Sequence, residues 1–446
     1  MKDKNILFSL LAFFLLIFIQ GCDGGRETIE IHDVDMLNAA IKKDPTFLNN
    51  KRITDTTLYK VVDPNHPELG HGLVLENMVI KNFTMSNVTL YNVKFKNVTF
   101  IDCAFIKTLI EDGTFENVKF IRGNLFAYDE PDAYEPPKTR FTGIKIDRVL
   151  FDSVKIGKNA QIRLHDGLVV MRNVAVDAGR SKREYDSFLL GGKNLHIRID
   201  SCAVTNETGI FIGGDKSSAY ITNSTFDNSD IDIQGTAAWI ENCTVTDTDL
   251  PSSKIAVIKH NRLSNVLAGS SYKGGKVFLV ENNFDLMKID GEYPDRIGMS
   301  SIVYIYNSKI LGEVGIGSGA SVNIYDTTIG KLKLSNISLK NNDRPKEKLL
   351  SAIKELNLSN VTIGRGDWEG TILQQGKWNN VQLGPVNLEG AQIGAIDGYR
   401  VGYFGSGLKF RESPQPLQID KPPVPTLEEL GLAQFWKEND FPQEQY

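Results

Sequence analysis

Four cysteines in 446 residues are too few for a fold built on disulfides, and six scattered histidines give no zinc-ligand spacing. Neither sign of charge dominates. The 50 Lys+Arg against 55 Asp+Glu leave a net charge of -5, which argues against a nucleic-acid binder held by bulk positive charge. After the N-terminus no long apolar run occurs, and 41% hydrophobic with 24% charged residues excludes both a multispan membrane protein and a disordered chain. No phosphate-binding loop, dinucleotide fingerprint or metal-spaced Cys/His set is found. What the chain does have is 39 glycines and asparagine in nearly every stretch, the composition of a fold with many turns.

The one apolar run lies at the start. Lys2 and Lys4 precede Ile6 to Ile19, about fourteen residues, which is short for a membrane-spanning helix and suits a secretory signal peptide. The following Ile19-Gln20-Gly21-Cys22 resembles a bacterial lipobox, which implies cleavage before Cys22 and lipid (palmitate) on that residue. Loss of residues 1–21 removes two lysines and one aspartate, a net +1, and moves the charge from -5 to -6. Asp23 resembles an inner-membrane retention signal. The implied address is the bacterial cell envelope, on the periplasmic face of the inner membrane, with the outer membrane as the alternative.

From Asn77 the sequence divides into fives without a gap, through NMVIK NFTMS NVTLY NVKFK NVTFI to RGNLF ending at Phe126. Apolar residues at i and i+2 belong to one face of a strand, and a strict step of five turns a corner each time, so four steps close a square coil. Residues 77–126 thus resemble the pentapeptide-repeat family, which implies a right-handed quadrilateral β-helix. A looser unit, apolar-x-Asn-small-x-apolar, continues as FDSVKI (151–156), ITNSTF (221–226), IYDTTI (324–329) and WNNVQL (378–383), mostly at steps of 18 to 28 residues. Such a step is one turn of a parallel β-solenoid with a polar residue stacked at each corner. The expected fold is all-β, a right-handed parallel β-helix of about fifteen coils and some 70 Å.

The expected divisions are a signal peptide (1–21), an N-terminal cap with a short helix over Asp33–Lys43 (22–72), the β-helix (73–410), and a Pro-rich linker with a helical tail (411–446). A second short helix is expected over Lys346–Leu356, looped out between coils, and the tail helix is expected to start on Thr426. Cys103, Cys202 and Cys243 fall at the same inward position of the unit. Cys202 and Cys243 are two coils apart with Ser224 between them, about 10 Å by rung spacing and beyond the reach of a bridge.

Two functional surfaces emerge. Right-handed β-helices include pectate-lyase-like enzymes, and counting from each unit puts Asp230 and Asp249 at one corner of successive coils, near an insertion carrying Arg180 and Lys182. Two carboxylates could hold Ca²⁺, and a nearby Arg or Lys could take a proton from a uronate, as in polysaccharide lyases; no other cofactor is expected. The alternative is a binding surface. Tyr220, Trp239 and Tyr304 precede their units, Tyr306 and Tyr325 take the outward second position, and the tail adds Phe435 and Trp436. Aromatic faces in a row stack on sugars or anchor a protein, unless they only stack on each other. The two readings are a lipid-anchored scaffold for an envelope protein or polysaccharide, and a calcium-dependent polysaccharide lyase.

Overall fold

An L-residue enters the left-handed region at a cost that Asn and Asp bear best, because their short polar side chains bond locally. Every fifth residue from Asn77 to Arg122 sits there, with φ between 49° and 58°. The same holds for the third position of the looser unit, at Ser153, Asn173, Ser201, Asn223, Asn242, His260, Asn307, Asp326, Asn360 and Asn380. The frequent asparagines are therefore the corners of a coil. Glu281 turns a corner too, in a unit (LVENNF, 279–284) whose glutamate hides it from the pattern.

The protein, described here from a computed structural model covering residues 27–30, 34–58, 72–126, 139–157, 160–177, 188–205, 209–268, 275–289, 302–316, 320–334 and 353–441, is a right-handed parallel β-helix. Each strand pairs in parallel with its counterpart one coil on. One inward column runs through the whole rod: Met78, Val98, Val118, Val149, Val169, Ile197, Ala219, Ala238, Ala256, Val277, Val303, Val322, Leu356, Gly376 and Ile396. Fourteen steps of ~4.8 Å give an axial length of about 67 Å. In the fives, inward phenylalanines stack from rung to rung, as with Phe95 on Phe115 (5.0 Å) and Phe100 on Phe120 (5.1 Å).

Just after the corner lies a second, buried column that is polar for much of its length. The backbone N–H of Cys202 donates to Ser224 Oγ (3.1 Å), that of Ser224 to Cys243 Sγ (3.4 Å), that of Cys243 to Asn261 Oδ1 (2.7 Å) and that of Asn261 to Asn282 Oδ1 (2.8 Å). Ser224 thus separates the two cysteines, as their spacing implied. Burial raises the Cys202 thiol to about 11 and the Cys243 thiol to about 12, so both stay protonated packing groups.

At the N-terminal end the helix Val34–Lys43 lays Val34, Leu37 and Ile41 on the coil's core, and Asn38 ties it down by bonding Gly72 O and the Val74 N–H. The region expected to be only a cap also carries strand: Lys51–Leu58 pairs with the coil through Arg52↔Thr84, and Glu27–Thr28 pairs with Lys51–Arg52. Residues 353–356, expected in a helix, open the strand Ile353–Asp367, because Ile353, Leu356 and Leu358 fill inward positions. The segment 1–21, expected as a signal peptide, Cys22, Asp23, Asp33 and residues 346–352 lie outside the described residues. So do Arg180 and Lys182.

After Glu412 the chain leaves the coil and doubles back along its side. Thr426 and Glu429 bond each other's backbone N–H reciprocally, a capping box at the residue where the helix was expected to start. It closes one turn only. Gly431, at φ 71°, interrupts the turn, and the helix proper is Leu432–Asn439.

Candidate functional site

Three outward surfaces carry chemistry. The first is the aromatic row. Tyr220, Trp239, Val257, Phe278 and Tyr304 form one outward column, and Val280, Tyr306 and Tyr325 the next. Phe278 stacks on Tyr304 at 5.0 Å and Tyr306 on Tyr325 at 5.0 Å. These side chains point away from the coil, yet Trp239, Tyr304, Tyr306 and Tyr325 are only 6%, 6%, 4% and 2% exposed. The expectation of a free binding row is corrected here, because the returning tail covers it.

This strap can be followed contact by contact. Asn379 exchanges hydrogen bonds with the Leu417 backbone (2.8 and 2.9 Å), the Tyr325 hydroxyl donates to Asp420 O, and the Tyr306 hydroxyl donates to Pro422 O (2.8 Å). Lys421 pairs with Asp326 (2.8 Å) and lies over the Tyr325 ring. Further back Phe435 packs on the His196 ring at 4.4 Å, and Trp436 is buried in the same apolar cluster as Trp239. Asp440 closes the strap, accepting from Arg172 (2.8 Å) and Arg198. Phe441 lies beneath Lys119 and Arg148. The strap thereby runs from the rung of Asn379 to that of Lys119. Phe435 and Trp436, expected as partner contacts, bind the protein's own coil. Burial raises the hydroxyl pKa of Tyr304, Tyr306 and Tyr325, and burial lowers that of His196. Between strap residues Val424–Glu428 and the coil lies a cavity of about 290 Å³, reached by Trp239, Lys259 and Glu281.

The second surface is the acidic corner. Asp230 opens the strand Asp230–Ile233, and the Ile231 N–H donates to Asp249 O at 3.3 Å, so the two aspartates occupy adjacent coils as the register implied. The Asp230 side chain lies outside the described residues, as do Arg180 and Lys182. Among the described residues no group of three or more His, Cys, Asp or Glu side chains is placed to hold a metal ion. The nearby corner residue His260 lies between Glu241 and Glu281 and bonds both, a rung contact that its place in the asparagine column implied.

The third surface was missed by the sequence reading. On the face built by Thr139–Ile146, Ala160–Arg172, Phe188–Asp200 and Gly209–Gly213, one outward column reads Lys145, His165, Lys193, Gly213. The neighbouring column runs Arg163, Gly191, Phe211, Asp232. Lys145, Arg163 and Lys193 have no ion pair among the described residues. The signal was present as period-2 alternation around Ile162 and Leu164, but insertions of unequal length between the coils hid the alignment.

No family model matches the chain, and no curated protein is similar to it. Among solved structures, the periplasmic alginate epimerase AlgG is similar with a TM-score of 0.30 and 9% identity over 74% of this chain and 84% of that one. A double mutant of the tailspike protein of E. coli bacteriophage HK620, in complex with a pentasaccharide, is similar with a TM-score of 0.21 and 9% identity, over 84% and 77% of the two chains. At that distance neither bears on what this chain binds.

Proposed function

We propose that the protein is an exported, lipid-anchored β-solenoid that serves as a rigid binding scaffold in the bacterial cell envelope, for a protein or polysaccharide partner. The observation that carries this reading is the rod's outer surface. Parallel pairing holds the outward columns in register over fifteen rungs, so side chains repeat at ~4.8 Å along a straight support whose core is continuous. Cys22 would hold the rod to the membrane by lipid, with Asp23 favouring the periplasmic face of the inner membrane.

The alternative keeps Asp230 and Asp249 as a Ca²⁺ pair and Arg180 or Lys182 as the proton acceptor of a polysaccharide lyase; the adjacent-coil register of the two aspartates favours it. The two readings separate in one assay. Purified protein incubated with polygalacturonate and Ca²⁺ is expected to give no rise in unsaturated-uronate absorbance, and a rise abolished by Asp230→Asn would replace the scaffold with the enzyme. Palmitate labelling of the wild type, lost in Cys22→Ala, is the expected result for the anchor; equal labelling of both would overturn it.

A further inference from the structure

We infer that the column Lys145–His165–Lys193, with Arg163 beside it, binds a linear anionic polysaccharide laid along the rod axis; this deepens the scaffold reading and rests on the chain being exported. Like charges directly opposite on paired strands repel. At several places the coil answers exposed cations with acids on neighbouring rungs: Lys94 with Glu76 (2.8 Å), Lys96 with Glu116 (3.0 Å), Arg122 with Asp102 (3.0 Å) and Lys331 with Glu313 (2.7 Å). Here three successive coils put Lys145, His165 and Lys193 one above the other, and the next column adds Arg163, with no carboxylate paired to any of them among the described residues.

A second observation is independent of that charge. Gln161 shares the outward side of its strand with Arg163 and His165, is only 2% exposed, and its amide nitrogen has no hydrogen-bond partner; Arg140, opposite Gln161 on the preceding coil, has an unpartnered buried Nε. Buried donors left unpaired cost about 1–3 kcal/mol each. Every unsatisfied group on this patch is a donor, so the ligand that completes it is rich in acceptors and negatively charged.

Shape narrows the class. Glu111 lies two rungs before Arg163 in its column and Asp232 three rungs after it, so the positive stretch is a narrow track and not the broad basic plane that suits an anionic bilayer. The track presents one cation per coil at ~4.8 Å, a spacing that a polymer with a charge on each sugar can follow along the axis.

The test measures binding of the purified full-length protein to polygalacturonate at two salt concentrations. Lys145→Gln/Lys193→Gln is expected to weaken binding by about tenfold or more and to flatten its salt dependence. Lys155→Gln/Lys309→Gln removes the same charge from exposed positions on another face and is expected to bind as wild type does. Arg163→Gln gives a second, single-site reading, and unchanged circular dichroism shows each variant is folded. Equal weakening in both double variants, no wild-type binding, or tighter binding to phosphatidylglycerol vesicles than to the polymer would each overturn the inference. Lost palmitate labelling bears on the anchor alone, so the two failures remain distinguishable.

Discussion

Each coil turns its corner on a residue with positive φ, and two contributions decide which residue serves. Backbone strain there costs a branched side chain about 1–2 kcal/mol, and a carboxamide recovers some of that cost through hydrogen bonds to the corners above and below. Asn97 shows both, at φ 52°, donating to Asn77 Oδ1 (2.7 Å) and accepting from Asn117 (3.1 Å). Replacing it separates the terms. Asn97→Gly keeps the backbone and loses only the exposed bonds, an expected ~1 kcal/mol, while Asn97→Val loses both, ~2–3 kcal/mol. Urea titration ranks the two, and equal losses would show that conformation contributes nothing. This physics made the corners legible in sequence, since so few residue types tolerate the site. It also explains the gap at Glu281, where His260 bonds the glutamate and offsets an unfavourable choice.

The strap was only half legible. A helix in the tail was legible from Thr426 on, but Gly431, at positive φ, ends the first turn and moves the helix proper to Leu432–Asn439. Less legible still was the cover over Tyr304, Tyr306 and Tyr325. An outward aromatic column has the same alternation whether it meets water or a segment about a hundred residues away, and local periodicity carries no information about such a partner. The strap has a pH response that follows from His196. Burial under Phe435 lowers its pKa below the ordinary 6.5, so the neutral ring is the form that the closed strap holds. Stability from this contact is full above that ordinary value and is lost as pH falls through the lowered one. The opening constant over 432–441, taken as the observed amide exchange rate divided by the intrinsic rate at each pH, is expected to rise on acidification, less so in His196→Gln, and a pH-independent opening constant would refute the assignment.

At the scale of the molecule, a solenoid is a chain of nearest neighbours, each coil resting on two others. Coil number and length followed directly from counting corners. The cation track did not, because loops of different length had to be removed before its rungs aligned. The strap changes the coupling, since it ties the coil bearing Asn379 to those bearing Arg172 and Lys119. With it, unfolding is expected as one sharp transition. Truncation after Glu412 is expected to leave strand circular dichroism intact, raise binding of an apolar-surface dye at the uncovered aromatic row, and broaden the transition into steps. A truncated protein that unfolds as sharply as the full chain would show the strap to be a passenger.

The strap also follows, in chain order, every coil that it covers, and this sets a sequence of events in time. During synthesis the coils form in order, each able to settle on the last, while the aromatic row waits uncovered until residues 413–441 have been made. Closure by Asp440 onto Arg172 and Arg198 then comes after the coils have stacked: a chain lacking residues 413–441 presents a sticky stripe, and one that carries them has it sealed.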